Sequence, residues 1–158
     1  EMLSEMLKRS GYYSMAIGKW HLGTHETLRP RARGFDEFFG FLEGGHSYYP
    51  EETEFEDISD SKKPYDWYRT KLVDNGKRVP FTKYLTEALS DRAVEFVRRR
   101  SSTDQPFFLY LAYNAPHSPL QATDKYLDRF THIANPKRRT YAAMISAVDD
   151  GVGQLFDE

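Results

Sequence analysis

The chain has 158 residues, 39% of them hydrophobic and 29% charged, a balance that fits one globular unit rather than a disordered tail. Its 22 basic and 24 acidic residues leave a formal net charge of -2, so it lacks the broad basic field of a nucleic-acid binder, and no stretch approaches the apolar length of a membrane span. With no cysteine it holds no disulfide, thiolate metal ligand or cysteine nucleophile.

Leu3, Met6 and Leu7 have helix spacing with no cap before them, and Gly11 follows where a left-handed C-cap is expected. Tyr13, Met15 and Ile17 then alternate as a short strand. Lys19 and His21 continue that period of two, so both are expected on one side with Trp20 on the other. Residues 24–79 read as an irregular excursion rich in aromatics, glycine and charge, with an acidic run over 51–60 taken as a solvated loop. Within it, Leu72-Val73-Asp74-Asn75-Gly76-Lys77-Arg78-Val79 predicts a hairpin turning at Asn75-Gly76.

A helix is expected over 86–100, burying Leu89, Ala93, Phe96 and Val97, with Glu95 and Arg99 paired on its outer face. The continuous apolar run from Phe107 to Tyr113 predicts a central strand covered on both faces. A short helix near 124–130 and a long one from about Arg139 follow, the latter carrying an apolar stripe of Tyr141, Met144, Ile145, Val148, Val152, Leu155 and Phe156. The stripe stops in mid-phase, so both ends of the chain read as truncated. The order of elements predicts an α/β sandwich with a mixed central sheet flanked by helices.

In open α/β sheets ligands gather beyond the C-terminal ends of strands. Two such ends carry chemistry here: Gly18-Lys19-Trp20-His21, and Asn114-Ala115-Pro116-His117-Ser118-Pro119, where two prolines stiffen a loop that presents His117. A lysine and two histidines brought together would make an anion site suited to a sulfate or phosphate group. The alternative for each histidine is packing, capping or plain exposure. The five histidines (21, 25, 46, 117 and 132) match no zinc-protease spacing, and adjacent Asp149 and Asp150 point about 100° apart on a helix, which makes no focused acid/base pair.

The stretch "GYYSMAIGKWHLG" from Gly11 resembles a signature of the type I, formylglycine-dependent sulfatases, Gly-Tyr-x-Thr-x-x-x-Gly-Lys-Trp-His-Leu-Gly. Further blocks agree in the same order: "RGFDEFFGFLEGGHSYY" from Arg33, "YLTEALSDRAVEFV" from Tyr84, "PFFLYLAYNAPHSPLQATDKYLDRF" from Pro106 and "YAAMISAVDDGVGQL" from Tyr141. The resemblance implies a partial alkaline-phosphatase-like fold, with residues 1–158 as the central segment of a catalytic domain. It implies that Lys19 binds the sulfate and contacts the modified nucleophile, that His21 assists release of sulfate, and that His117 contacts the sulfate near the leaving oxygen. It further suggests His46 as a contact to the organic part of a small-molecule or carbohydrate sulfate ester.

The resemblance also implies calcium and a formylglycine derived from a Cys-x-Pro-Ser-Arg or Ser-x-Pro-Ser-Arg motif. Neither that motif nor the family's Asp-Asp metal pair is expected within this segment, and Asp74-Asn75-Gly76 stands too early to be the metal motif that follows the "VDDGVG" helix. No metal ligand is therefore assigned, and the segment alone is expected to be inactive. The family's setting is periplasmic, secreted or lysosomal; no signal peptide opens this segment. Two other readings stay open: a phosphatase or phosphonate-ester hydrolase of the same superfamily, and an anion-binding or structural piece without turnover.

Overall fold

The computed structural model describes residues 1–158. Helix α1 (Leu3–Arg9) leads into strand β1 (Tyr13–Lys19), followed by β2 (Glu37–Phe41) and the hairpin β3 (Leu72–Asp74) and β4 (Lys77–Val79). Helix α2 (Leu85–Ser101), strand β5 (Phe107–Ala112), a short α3 (Asp124–Leu127) and the long α4 (Pro136–Phe156) complete the chain. The sheet runs β4-β3-β2-β1-β5, with β2, β1 and β5 parallel and the hairpin antiparallel. This is the mixed sheet with flanking helices that the sequence predicts.

The core is two layers on the two faces of β1. Met15 and Ile17 point to one, with Leu89, Ala93 and Phe96 of α2 and Ala143, Met144 and Ala147 of α4, all of them essentially inaccessible. Ala16 and Trp20 point to the other, with Phe35, Phe38, Leu42 and Val73. Each such buried Leu, Ile or Phe contributes roughly 1.5–3 kcal/mol of burial. The hairpin turns at Asn75 (φ 51°) and Gly76 (φ 95°), both left-handed as a two-residue primed turn requires.

Several expectations need correction. The 24–79 excursion holds a core strand, β2, whose Glu37 is buried because Arg99 of α2 clamps it with two contacts of 3.0 Å. Arg99 is thereby taken from Glu95, which meets Arg92 at 3.6 Å instead. The central strand is β1; β5 pairs on one side only and is half-buried, with Tyr110 exposed.

Helix α4 turns inward not its whole apolar stripe but Ala143, Met144, Ala147 and Gly151, while Tyr141, Ile145, Val152 and Phe156 are exposed. Small residues win that face because α2 comes close: a Cβ on Gly151 would stand 2.1 Å from Ser90 Oγ. The acidic run is not merely solvated, since Glu54, Glu56 and Asp57 pair with Arg69, Lys71 and Arg78.

Candidate functional site

Three parallel strands end at one rim of the sheet, and each feeds a loop into it. β1 delivers Lys19, Trp20 and His21; β2 delivers Leu42-Glu43-Gly44-Gly45-His46; β5 delivers the loop from Asn114 to Pro119. The register sets the three ends level, with Gly18 opposite both Gly40 and Ala112. At Gly18 the chain adopts φ 100°, and a Cβ there would lie 2.0 Å from the Ala112 carbonyl oxygen, so only glycine lets β1 run this close to β5.

Beyond Lys19 the expected alternation breaks. Trp20 does turn into the core, its Nε1 donating to the Leu28 carbonyl at 2.8 Å. His21 then adopts φ 53°, a left-handed conformation, while its N–H donates to the Leu42 carbonyl at 3.2 Å. Its exposed ring comes to rest on the β2 loop: a Cβ on Gly44 would stand 2.6 Å from His21 Nε2. The next residue does the same for another ring, since a Cβ on Gly45 would meet Tyr68 Cε1 at 2.5 Å. Tyr68 in turn stands edge-on to His117, with ring centroids 6.5 Å apart at 83°. The Gly44-Gly45 step is therefore a floor that ties His21 and His117 into one neighbourhood.

The β5 loop is held from below. Tyr48, wholly buried, donates its hydroxyl to the His117 carbonyl at 2.9 Å, and its backbone N–H donates to Gln121 Oε1 at 2.9 Å. Asn114 Nδ2 donates to the His46 carbonyl at 2.7 Å, and Tyr84 donates to the Gln121 carbonyl at 2.8 Å. His117 Nδ1 donates to the Ser118 carbonyl at 2.7 Å, which fixes the tautomer and leaves Nε2 as the outward-facing nitrogen.

His46 lies elsewhere in character. It is fully buried, and its two ring nitrogens each lie 2.7 Å from a backbone carbonyl, of Ser47 and of Thr70. Phe41 and Phe81 pack on it, and burial lowers its pKa against the pull of the two carbonyls. In this arrangement neither nitrogen is free for a ligand. His46 pins the β2 loop that carries the glycine floor.

The functional charge is correspondingly uncommitted where the ligand would sit. Histidine side-chain hydrogen bonds involve His25, His46 and His117 but not His21. Lys19, half-buried at the strand end, enters no ion pair. A point cation in no ion pair, the His21 ring and the outward Nε2 of His117 favour an anion arriving from solvent.

No group of three or more His, Asp or Glu side chains is arranged to hold a metal ion. Asp74 is held by Arg92 at 2.8 and 2.9 Å and Asn75 Oδ1 accepts from the Phe38 N–H at 3.0 Å, so the Asp-Asn-Gly triplet serves its hairpin. Asp150 is likewise taken by Arg129, at 2.7 Å to each oxygen. Sequence reasoning missed Gly44, Gly45, Tyr48, Tyr68 and Asn114 as positioning residues; the "GGHSYY" and "NAPH" blocks contained four of the five.

The family profile described as Sulfatase matches residues 1–158. Arylsulfatase J of Mus musculus is 38% identical over 155 residues, covering 95% of this chain and 24% of its own length. An uncharacterized sulfatase, YdeN, of Escherichia coli strain K12 is 32% identical over 181 residues, covering 99% and 29%. Among solved structures, Ps i-CgsB in complex with k-i-k-neocarrahexaose is 46% identical with a TM-score of 0.90, over 98% of this chain and 35% of that one. The chain thus spans roughly a quarter to a third of the relatives it matches. Matched along its whole length by that profile, and folded as its solved relatives are, this chain belongs to the sulfatase family.

Proposed function

We propose that this chain supplies the sulfate-binding rim of a sulfuric ester hydrolase, and that the ester is a sulfated carbohydrate. The observation that carries the reading is the Gly44-Gly45 floor, which joins His21 and His117 at the rim where β1 ends in Lys19, a lysine in no ion pair. The carbohydrate part is supported by the neighbour at 46% identity, Ps i-CgsB, solved in complex with k-i-k-neocarrahexaose.

In this reading Lys19 receives the sulfate oxygens as a point charge, and His117 directs Nε2 at the bridging oxygen, where charge develops as the ester breaks. His21, lying on Gly44, faces the same anion and helps discharge the sulfate. Sulfatases generally depend on calcium and formylglycine, and we extend that dependence to the full-length protein. The residues of this chain fit neither group: there is no cysteine, no Ser-x-Pro-Ser-Arg and no metal-holding cluster, so no step is routed through them here. The setting we assign, by the family, is periplasmic, secreted or lysosomal.

The test is Lys19→Ala in the full-length protein, assayed on 4-nitrophenyl sulfate and on a sulfated carrageenan hexasaccharide. Loss of a charge-assisted contact at the reacting group is expected to cost about a hundredfold or more in kcat/KM. Lys19→Arg should rescue poorly, because a planar fork does not reproduce a point charge. Wild-type kinetics in either variant would remove Lys19 from the site.

A further inference from the structure

Beyond Tyr68, the ring that borders His117, lie two aromatic residues that the sulfate rim does not use. Tyr65, Trp67 and Tyr68 follow one another along a short turn, Asp66–Arg69, and all three rings touch. Trp67 meets Tyr68 edge-on at 4.2 Å between centroids, Tyr65 lies 5.7 Å from Tyr68 and 6.2 Å from Trp67, and Tyr68 reaches His117. Tyr68 is anchored over Gly45, whereas Tyr65 is 64% exposed.

Tyr65 is the unexpected member. Its backbone is left-handed, φ 71° and ψ 0°, a conformation that costs a bulky side chain and is ordinarily left to glycine or asparagine. Packing does not repay that cost, since most of the ring faces solvent. Strain held at an exposed aromatic, one ring removed from His117 through Tyr68, is the pattern of a residue kept for a ligand. Next to it, Lys62 and Lys63 cap Asp66 with their backbone N–H groups, at 3.1 and 2.8 Å, and their exposed side chains enter no ion pair.

We propose that Tyr65, Trp67 and Tyr68 form a stacking subsite for the sugar residue adjoining the one whose sulfate is cleaved. The inference rests on the sulfated-carbohydrate reading above. A pyranose presents a face of C–H bonds that an aromatic ring covers well, and its hydroxyls and sulfates project at the ring edge. Tyr68 is the hinge of the arrangement, because the same ring borders His117 on one side and carries Trp67 and Tyr65 on the other. On this proposal the sugar next to the one at His117 stacks on the run of rings from Tyr68 to Tyr65, and Lys62 and Lys63, close by in the chain, meet further sulfates.

The test uses the full-length protein and three variants at one position: Tyr65→Ala, Tyr65→Phe and Tyr65→Gly. For each, kcat/KM on the carrageenan hexasaccharide is divided by kcat/KM on 4-nitrophenyl sulfate, and the melting temperature is recorded. That ratio is expected to fall about tenfold, through KM, in the Ala and Gly variants and to stay within about twofold in Tyr65→Phe. Tyr65→Gly should melt no lower than wild type, because glycine relieves the left-handed backbone.

A ratio unchanged in Ala and Gly overturns the subsite, as does a fall that tracks lost stability. A fall in Tyr65→Phe as large as in Tyr65→Ala overturns it too, since stacking would then not be what binds. Failure of the underlying reading looks different: wild type would then leave the hexasaccharide unhydrolysed, whether or not it cleaves 4-nitrophenyl sulfate. Calorimetric binding of the hexasaccharide, kept or lost in Tyr65→Ala, would still decide the subsite in that case.

Discussion

The His21 ring rests on Gly44 so closely that a Cβ there would stand 2.6 Å from Nε2 and 3.0 Å from Cε1. The atoms in the way are the far end of one side chain and not backbone. Gly44→Ala is therefore expected to fold, with a change in stability of about 1 kcal/mol or less, while pushing the imidazole off its floor. Turnover in the full-length protein should drop by about tenfold or more, since a displacement near 1 Å at a reacting group is enough for that. Full activity together with an unshifted melting temperature would show that the ring position does not matter.

His117 should matter more for esters with poor leaving groups than for activated ones. Its Nδ1 is committed to the Ser118 carbonyl at 2.7 Å, so Nε2 alone can serve the bridging oxygen. With Nδ1 holding its proton, Nε2 donates only when the ring is the imidazolium, and such a donor helps most when the departing alkoxide is basic, because more charge then needs stabilising. The measurement is kcat/KM of His117→Ala against wild type across sulfates of graded leaving-group pKa. A defect that grows with that pKa supports the role; a uniform defect assigns His117 to holding the sulfate.

The sequence was most legible where its periodicity is unbroken. β1, α2, the Asn75-Gly76 hairpin and the long last helix all follow from local pattern and turn chemistry. β2 was not legible, because Glu37 and Gly40 interrupt the apolar run. Glu37 tolerates burial only through Arg99, a partner far along the chain. The rank of β5 in the sheet was equally hidden, since an apolar run reports coverage and not neighbours.

At the site, Lys19, His21 and His117 were legible as residue types at strand ends. What joins them was not, because the left-handed turn at His21 and the packing of rings on Gly44 and Gly45 depend on a loop from another strand. Burial separates His46 from the others, and spacing alone carries no burial.

Asp74 and Asn75 are expected to be dispensable for metal binding although they spell an Asp-Asn-Gly motif. Their polar atoms already serve Arg92 and the Phe38 N–H. Asp74→Ala and Asn75→Ala should each lower stability by about 1–2 kcal/mol through those lost contacts. Calcium affinity of the full-length protein should be unmoved. A large drop in affinity would relocate the metal site to this hairpin.

The Glu37–Arg99 clamp makes a prediction with a definite sign in pH. Burial by itself would raise the Glu37 pKa, but hydrogen bonds from Arg99 and Tyr13 and the charge of Arg99 outweigh it, so the net shift is downward from 4.5. A carboxyl whose folded pKa lies below its unfolded value binds fewer protons when folded. Its stabilisation is therefore complete above pH 4.5 and is lost as pH falls through the lowered folded value. Glu37→Gln removes the charge that Arg99 grips and should cost about 1–3 kcal/mol at neutral pH. Because glutamine does not titrate, the variant should lose less stability than wild type on acidification from about pH 5 to pH 3. Melting temperatures of the two proteins across that range provide the comparison. Curves that stay parallel down to the acid end would mean that Glu37 titrates alike in the folded and unfolded chains, and that the clamp contributes only packing.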